Sequence, residues 1–186
     1  MNDREFLADY FARYHKALLE TDVFLEMQQL KSALLKIKHS GKKVIIAGNG
    51  GSAAMASHVA VDFTKQGGIR TINFNEADLI TCLANDYGYD NWIAKAIKLY
   101  GDTGDLVILI SSSGRSVNLV NAAKQAKNQG IQVATFTGFH ADNPLKSYGD
   151  INFWLGSKAY NVVENTHLIW LLAVCDMIIG KAEYPA

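Results

Sequence analysis

Twice along the sequence an unbroken apolar run ends in a turn of small polar residues and leads into a stretch with helical spacing. Val44-Ile45-Ile46-Ala47 runs into Gly48-Asn49-Gly50-Gly51-Ser52 and then into a small-residue helix over 53–64. Leu106-Val107-Ile108-Leu109-Ile110 runs into Ser111-Ser112-Ser113-Gly114-Arg115-Ser116 and then into a helix over 117–128, closed by Gly130. A strand without polar alternation is buried on both faces, which is the situation in a parallel sheet covered by helices. Further strands are expected at 69–74, 133–137 and, at an edge, 152–155, with helices at 79–84, 92–99 and 162–179. The expected fold is an α/β three-layer sandwich, doubly wound about a parallel sheet.

The first 40 residues stand before this pattern. Phe6, Leu7, Tyr10, Phe11, Tyr14, Ala17 and Leu18 recur at helical spacing. Phe24, Met27, Leu30, Ala33, Leu34 and Ile37 repeat it after the capping pair Thr21-Asp22, and Ser40-Gly41 ends the second helix. The reading is one domain over 1–186, with a helical arm (1–40) on an α/β core (43–186). So apolar an arm packs on a partner subunit, on its own sheet, or on both.

Charge narrows the function. Lys+Arg and Asp+Glu number 18 each, so the formal net charge is zero and there is no basic excess for the phosphates of a nucleic acid. No run reaches the roughly 18 apolar residues of a membrane span. The charged N-terminus is not followed by the apolar region of a signal peptide. A cytoplasmic protein is expected, with no membrane and no direct nucleic-acid partner. Cys82 and Cys175 lie in apolar stretches and are expected to pack as small hydrophobes in a reducing compartment.

In such sheets ligands bind beyond the carboxyl ends of the strands, where both polar turns stand. The first turn brings backbone close to a ligand at a helix N-terminus. It is not the dinucleotide fingerprint, because Ala53 occupies the sixth position, and no Gly-Lys-Ser/Thr follows; no nucleotide cofactor is expected. The second turn places four hydroxyls in six residues, those of Ser111, Ser112, Ser113 and Ser116, with Gly114 and Arg115 among them. Hydroxyls, free backbone N–H groups and a helix dipole suit a phosphate monoester without a metal. A helix cap alone would need one serine.

Gly48-Asn49-Gly50-Gly51-Ser52-Ala53-Ala54 with His58, followed by the serine turn, resembles the sugar isomerase (SIS) domain, in its phosphoheptose isomerase branch. Asn85-Asp86-Tyr87-Gly88-Tyr89, Thr135-Phe136-Thr137-Gly138 and Glu164-Asn165-Thr166-His167 match that branch in place and order, so the likeness spans nearly the whole chain. The resemblance implies a central five-stranded parallel sheet and a homotetramer or homodimer with a sugar-phosphate site at a subunit interface. It implies that Ser111, Ser112, Ser113, Arg115 and Ser116 form the phosphate turn, that Asn49, Gly50 and Ser52 line the sugar, and that Asp86 reaches toward it. The implied reaction converts sedoheptulose 7-phosphate to a heptose 7-phosphate.

The resemblance also implies an acid/base pair, a Glu on the first-turn helix and a His on the last helix. In some members these two, with a further His and a Gln, hold zinc. Here His58 matches the first-helix His, Asp62 stands at the Glu position, Glu164 at the Gln position and Leu172 at the last-helix His position. Asn161 and Val162 stand where an Asp and an Arg are common, and Arg115 replaces a common Asn. Leucine neither carries a proton nor binds metal. Asp62 and Glu164, supported by His58, are therefore the candidate acid and base. His58, Asp62 and Glu164 are the candidate ligands of one divalent metal, zinc by resemblance; His58 and Asp62 are four apart and share a helix face. His167 is either a second proton carrier or a structural histidine.

Three readings stay open on the sequence. One is an isomerase of sedoheptulose 7-phosphate. Another is a non-catalytic SIS protein that binds a sugar phosphate or associates with a replication initiator. The third is an isomerase of another phosphosugar whose extra acidic group meets Arg115.

Overall fold

The computed structural model describes residues 2–184. Five strands form one parallel sheet in the order β2-β1-β3-β4-β5: β1 Val44–Gly48, β2 Thr71–Ile72, β3 Leu106–Ser111, β4 Gln132–Gly138 and β5 Ile151–Leu155. Seven α-helices accompany them: α1 Asp3–His15, α2 Phe24–Ser40, α3 Gly51–Lys65, α4 Ala77–Tyr87, α5 Trp92–Tyr100, α6 Val117–Asn128 and α7 Tyr160–Ile179. This is the expected three-layer sandwich with its N-terminal arm.

The pleat sorts each strand between two cores. Val44, Ile46, Leu106, Ile108, Ile110 and Phe136 face one core with α2, α3 and α7, while Ile45, Ala47, Val107, Leu109 and Val133 face the other with α5 and α6. Every residue of β1 and β3 is buried, as the unbroken apolar runs require. β2 is shorter than expected. Ile69 and Phe74 are buried as core residues, but only Thr71 and Ile72 join the ladder, beside the left-handed Gly68. β5 is an edge strand and alternates in burial.

The order reverses between β1 and β3, which are hydrogen-bonded neighbours whose connections leave toward opposite ends of the sheet. Such a switch point opens a crevice at the strands' carboxyl ends. Gly48 pairs with Ile110 at that end, so the glycine and serine turns emerge side by side.

The arm is less buried than its apolar pattern suggests. No residue of α1 is buried, and Phe6, Leu7 and Phe11 are exposed. α1 runs into a π-helical turn, Lys16–Glu20, where Ala17 enters the core. Asp22 meets the expected capping need from outside the helix, its carboxylate accepting from the Phe24 N–H at 3.1 Å. α7 is long and apolar enough by length and composition to cross a membrane, beyond what the sequence led us to expect, yet it packs on the sheet with Val163, Thr166, His167, Trp170, Leu171 and Val174 buried. Cys175 is buried as expected, whereas Cys82 is exposed on α4 and does not pack as a core hydrophobe.

Candidate functional site

A cavity of about 150 Å³ lies in the crevice, lined by Asn49, Ser52, Ile110, Ser111, Ser112, Ser113, Ser116, Leu119, Tyr160 and Glu164. The two polar turns thus share one pocket. Gly50 opens α3 with φ +55°, a left-handed conformation that glycine adopts without strain, and no side chain caps this helix. The other helix start is equally free of a side-chain cap. Ser116 stands at the N-cap of α6, but its hydroxyl lies 3.3 Å from the Ser111 hydroxyl instead of bonding the first turn. The serines exceed the capping need, and the exposed end of the α6 dipole faces the hydroxyls.

Behind the turn, Gly114 has φ +65° and accepts at its carbonyl from the Leu145 N–H at 3.0 Å. Asn143, 2% exposed, lies so tightly against Gly114 that a Cβ there would collide with it. The same Asn143 donates to the Thr137 hydroxyl at 3.2 Å and the His140 carbonyl at 2.9 Å, and accepts from the Lys146 N–H at 3.1 Å. The serine turn therefore rests on a fixed backing.

Glu164 enters from α7. Its carboxylate sits over Gly51, where a Cβ would meet Cδ at 2.9 Å, and it accepts a long hydrogen bond, 3.4 Å, from Ser112. It also lines a second groove of about 290 Å³ with Gly51, Ala54, Met55, His58, Asn165 and Leu168. Glu164 is thus the shared wall between the serine pocket and the His58 groove. In that groove His58 Nε2 lies 3.2 Å from the Asp62 carboxylate, with the imidazole more exposed than the carboxylate.

A family model of the SIS domain matches residues 8–138. The phosphoheptose isomerase of Fusobacterium nucleatum is 34% identical over 171 residues, covering 89% of this chain and 88% of its own. That of Thermodesulfovibrio yellowstonii is 33% identical over 158 residues, covering 82% and 78%. This chain belongs to the SIS domain family, among the phosphoheptose isomerases. The solved phosphoheptose isomerase of Neisseria gonorrhoeae superposes with a TM-score of 0.86 at 27% identity, covering 95% of this chain and 99% of that one.

Against that family, the expected site residues divide. Asn49, Ser52, Ser111, Ser112, Ser113, Ser116 and Glu164 line one pocket, whereas Gly50 caps the start of α3 next to Asn49 and does not line it. Arg115 is exposed and lines no part of it; its backbone N–H donates to Ser113 Oγ at 3.2 Å. Asp86 is exposed on α4, where its carboxylate accepts from Asn85 at 3.0 Å, and it too stays outside the pocket of its own chain. Asp62 reaches the groove only through His58.

The candidate zinc set does not close. Among the described residues no three His, Cys, Asp or Glu side chains come together to hold an ion. His58 and Asp62 form a pair, Glu164 points to Gly51 and Ser112, and Leu172 packs against the core with no donor atom to offer. These residues do not fit a resident metal within one chain.

His167 is structural. It is fully buried, its Nε2 lies 3.0 Å from the Thr137 carbonyl, and burial pushes its imidazole down to about 4 against the pull of that carbonyl. A neutral ring in the core carries no proton to the pocket. Trp92 and Trp170 are core residues, and His15 and His39 are exposed.

Sequence reading missed Tyr160 in the pocket wall and two side chains that hold Asn49. Asn118 and Asn49 exchange amide hydrogen bonds at 2.9 and 3.0 Å, and the Tyr89 hydroxyl donates to Asn49 Oδ1 at 3.1 Å. Partners 69 and 40 residues away leave no local sequence signal.

Proposed function

We propose that this chain interconverts sedoheptulose 7-phosphate and the corresponding aldose phosphate in the cytoplasm. The observation that carries the reading is the position of Glu164, at once a wall of the phosphate-sized serine pocket and of the groove that holds His58. A cavity of about 150 Å³ accepts a phosphoryl group and little more. A ligand held there by Ser111, Ser113 and Ser116 must run its carbon chain past Glu164.

Ketose–aldose conversion moves one proton between neighbouring carbons and another between their oxygens. Glu164 takes the proton from the hydroxymethyl carbon beside the ketone and returns it to the former carbonyl carbon. His58, oriented by the Asp62 carboxylate, serves the two oxygens. Asp62 thereby acts through His58. No step needs a metal or a nucleotide. The exposed apolar residues of α1 support assembly as a homotetramer or homodimer, with Asp86 entering the site of a neighbouring copy.

Leu172 favours one competing reading, a binding protein without turnover. Incubation of the purified chain with sedoheptulose 7-phosphate, followed by resolution of ketose and aldose phosphates, separates the two. Aldose product that disappears in Glu164→Gln supports the isomerase. Ligand-induced thermal stabilisation without product at high enzyme concentration replaces it with the binding protein. Neither stabilisation nor product overturns both.

A further inference from the structure

Asn49 projects into the pocket with its amide almost fully committed. Its Oδ1 accepts two hydrogen bonds, from Asn118 Nδ2 at 2.9 Å and from the Tyr89 hydroxyl at 3.1 Å. An amide oxygen has two lone pairs, so no acceptor capacity remains. Its Nδ2 spends one N–H on Asn118 Oδ1 at 3.0 Å. One N–H is left, and Asn49 lines the pocket. Asn118 is 2% exposed at the second position of α6, so its own amide has little freedom to turn. Against an Asn118 held in place, a turned Asn49 would set nitrogen against nitrogen and oxygen against oxygen across the pair, and the Tyr89 hydroxyl fills the second acceptor position of Asn49 Oδ1.

From this geometry we infer that Asn118 and Tyr89 are positioning residues that lock Asn49 as a one-way hydrogen-bond donor, and that its free N–H meets the carbonyl oxygen of the open-chain ketose phosphate. Naming the carbonyl rests on the isomerase reading; the lock itself does not. A fixed donor at that oxygen strengthens as negative charge grows there when the neighbouring carbon loses its proton. No reorganisation of the amide is needed at that moment, because its alternatives are already bonded. Asn49 would contact substrate, whereas Asn118 and Tyr89 act through it.

The test uses the intact chain and three variants: Tyr89→Phe, Asn118→Leu and Asn118→Asp. Tyr89 is exposed, so its variant keeps the fold even where the Asn118 variants do not. Two probes are titrated, sedoheptulose 7-phosphate and inorganic phosphate. Each variant is expected to lose about tenfold in kcat/KM or affinity for the sugar phosphate, the scale of one hydrogen bond. Affinity for inorganic phosphate, held by the serines, should stay within twofold. Equal losses for both probes would mean that Asn118 merely supports the α6 N-terminus, and would overturn the proposal. So would a Tyr89→Phe protein with unchanged sugar-phosphate parameters.

A second readout separates this proposal from the function it builds on. In the side-chain amide NMR spectrum, the Asn49 proton bonded to Asn118 should exchange slowly in the wild type and quickly in Asn118→Leu, and Tyr89→Phe should shift the same amide group. If that proton exchanges in the wild type as fast as a free asparagine amide, the lock does not exist. If the lock is present but ketose phosphate neither binds nor turns over, the isomerase reading fails and the lock stands.

Discussion

Adding one methyl group at Gly51 should cost the enzyme its activity while leaving its fold intact. An alanine Cβ there would lie 2.9 Å from the Glu164 carboxyl carbon and 3.1 Å from Oε1, and closer still to Oε2. Ordinary non-bonded contacts fall at roughly 3.5–4.0 Å, so the carboxylate must retreat by about 1 Å. Displacements of that size at reacting groups cost about 100-fold in rate. Stability should move little or rise. Gly51 has no positive φ, stands in the first turn of α3, and the group it strikes is the far end of a flexible side chain. Alanine gains up to about 1 kcal/mol over glycine in a helix interior and less at a helix end. The assay is the rate of sedoheptulose 7-phosphate isomerisation alongside thermal unfolding and inorganic phosphate binding. A variant that keeps near wild-type kcat at unchanged Tm would refute the claim that the placement of Glu164 matters.

Other consequences can be measured independently. His167 is held neutral in the fold, its imidazole pushed down to about 4 from 6.5, so the unfolded chain takes up its proton first as pH falls. Stability should therefore be undiminished above pH 6.5 and decline between pH 6.5 and 4 by roughly 3 kcal/mol, a slope missing in His167→Gln when urea unfolding is followed against pH. Burial pushes the Cys175 thiol up to about 11, with the Asp62 and Asp176 charges adding to it, while Cys82 is exposed. A thiol reagent at neutral pH should label Cys82 alone in the native protein and both cysteines in denaturant, read by mass spectrometry. Asp105, 1% exposed, pairs with Lys43 Nζ at 2.6 Å and accepts from the backbone N–H groups of Lys43 at 3.0 Å and Asp102 at 2.8 Å. Asp105→Ala leaves the N–H groups of Lys43 and Asp102 without their acceptor, while Lys43 Nζ keeps Asp102 at 2.6 Å, and should lower unfolding free energy by about 1–3 kcal/mol in a denaturant titration.

The parts of this molecule legible in the sequence are those set by local chemistry. Val44 to Ala47 and Leu106 to Ile110 could be assigned to a doubly covered sheet because burial on both faces leaves no polar alternation. The serine turn could be read because its hydroxyls outnumber what a cap uses. His58 and Asp62 could be paired because helical spacing alone puts them together, and the structure keeps them at 3.2 Å. Convergence between elements was not legible. Nothing near Glu164 in the chain says that its carboxylate stops over Gly51 and misses the His58–Asp62 pair. Nothing near Asn49 announces Asn118 or Tyr89. Cys82 was misread because its neighbours Leu79, Ile80 and Leu83 are apolar, while its own direction on α4 is set by how that helix sits on the sheet.

The arm holds itself together by short-range means. The Asn2–Glu5 capping box, the Arg13–Asp9 ion pair at 2.8 Å and the Phe6–Tyr10–Tyr14 ring ladder are all within the helix. Thirteen residues with such support are marginal as a free helix in water. Among the described residues its polar mooring on the body is Tyr14, whose hydroxyl donates to the Asn161 carbonyl at 3.1 Å and accepts from Asn165 at 2.8 Å. Those two asparagines bracket Glu164 on α7. Fraying of the arm would release both contacts on the helical turn that carries Glu164, and a surface that clamped the arm, such as a second copy of the chain, would hold them from a distance.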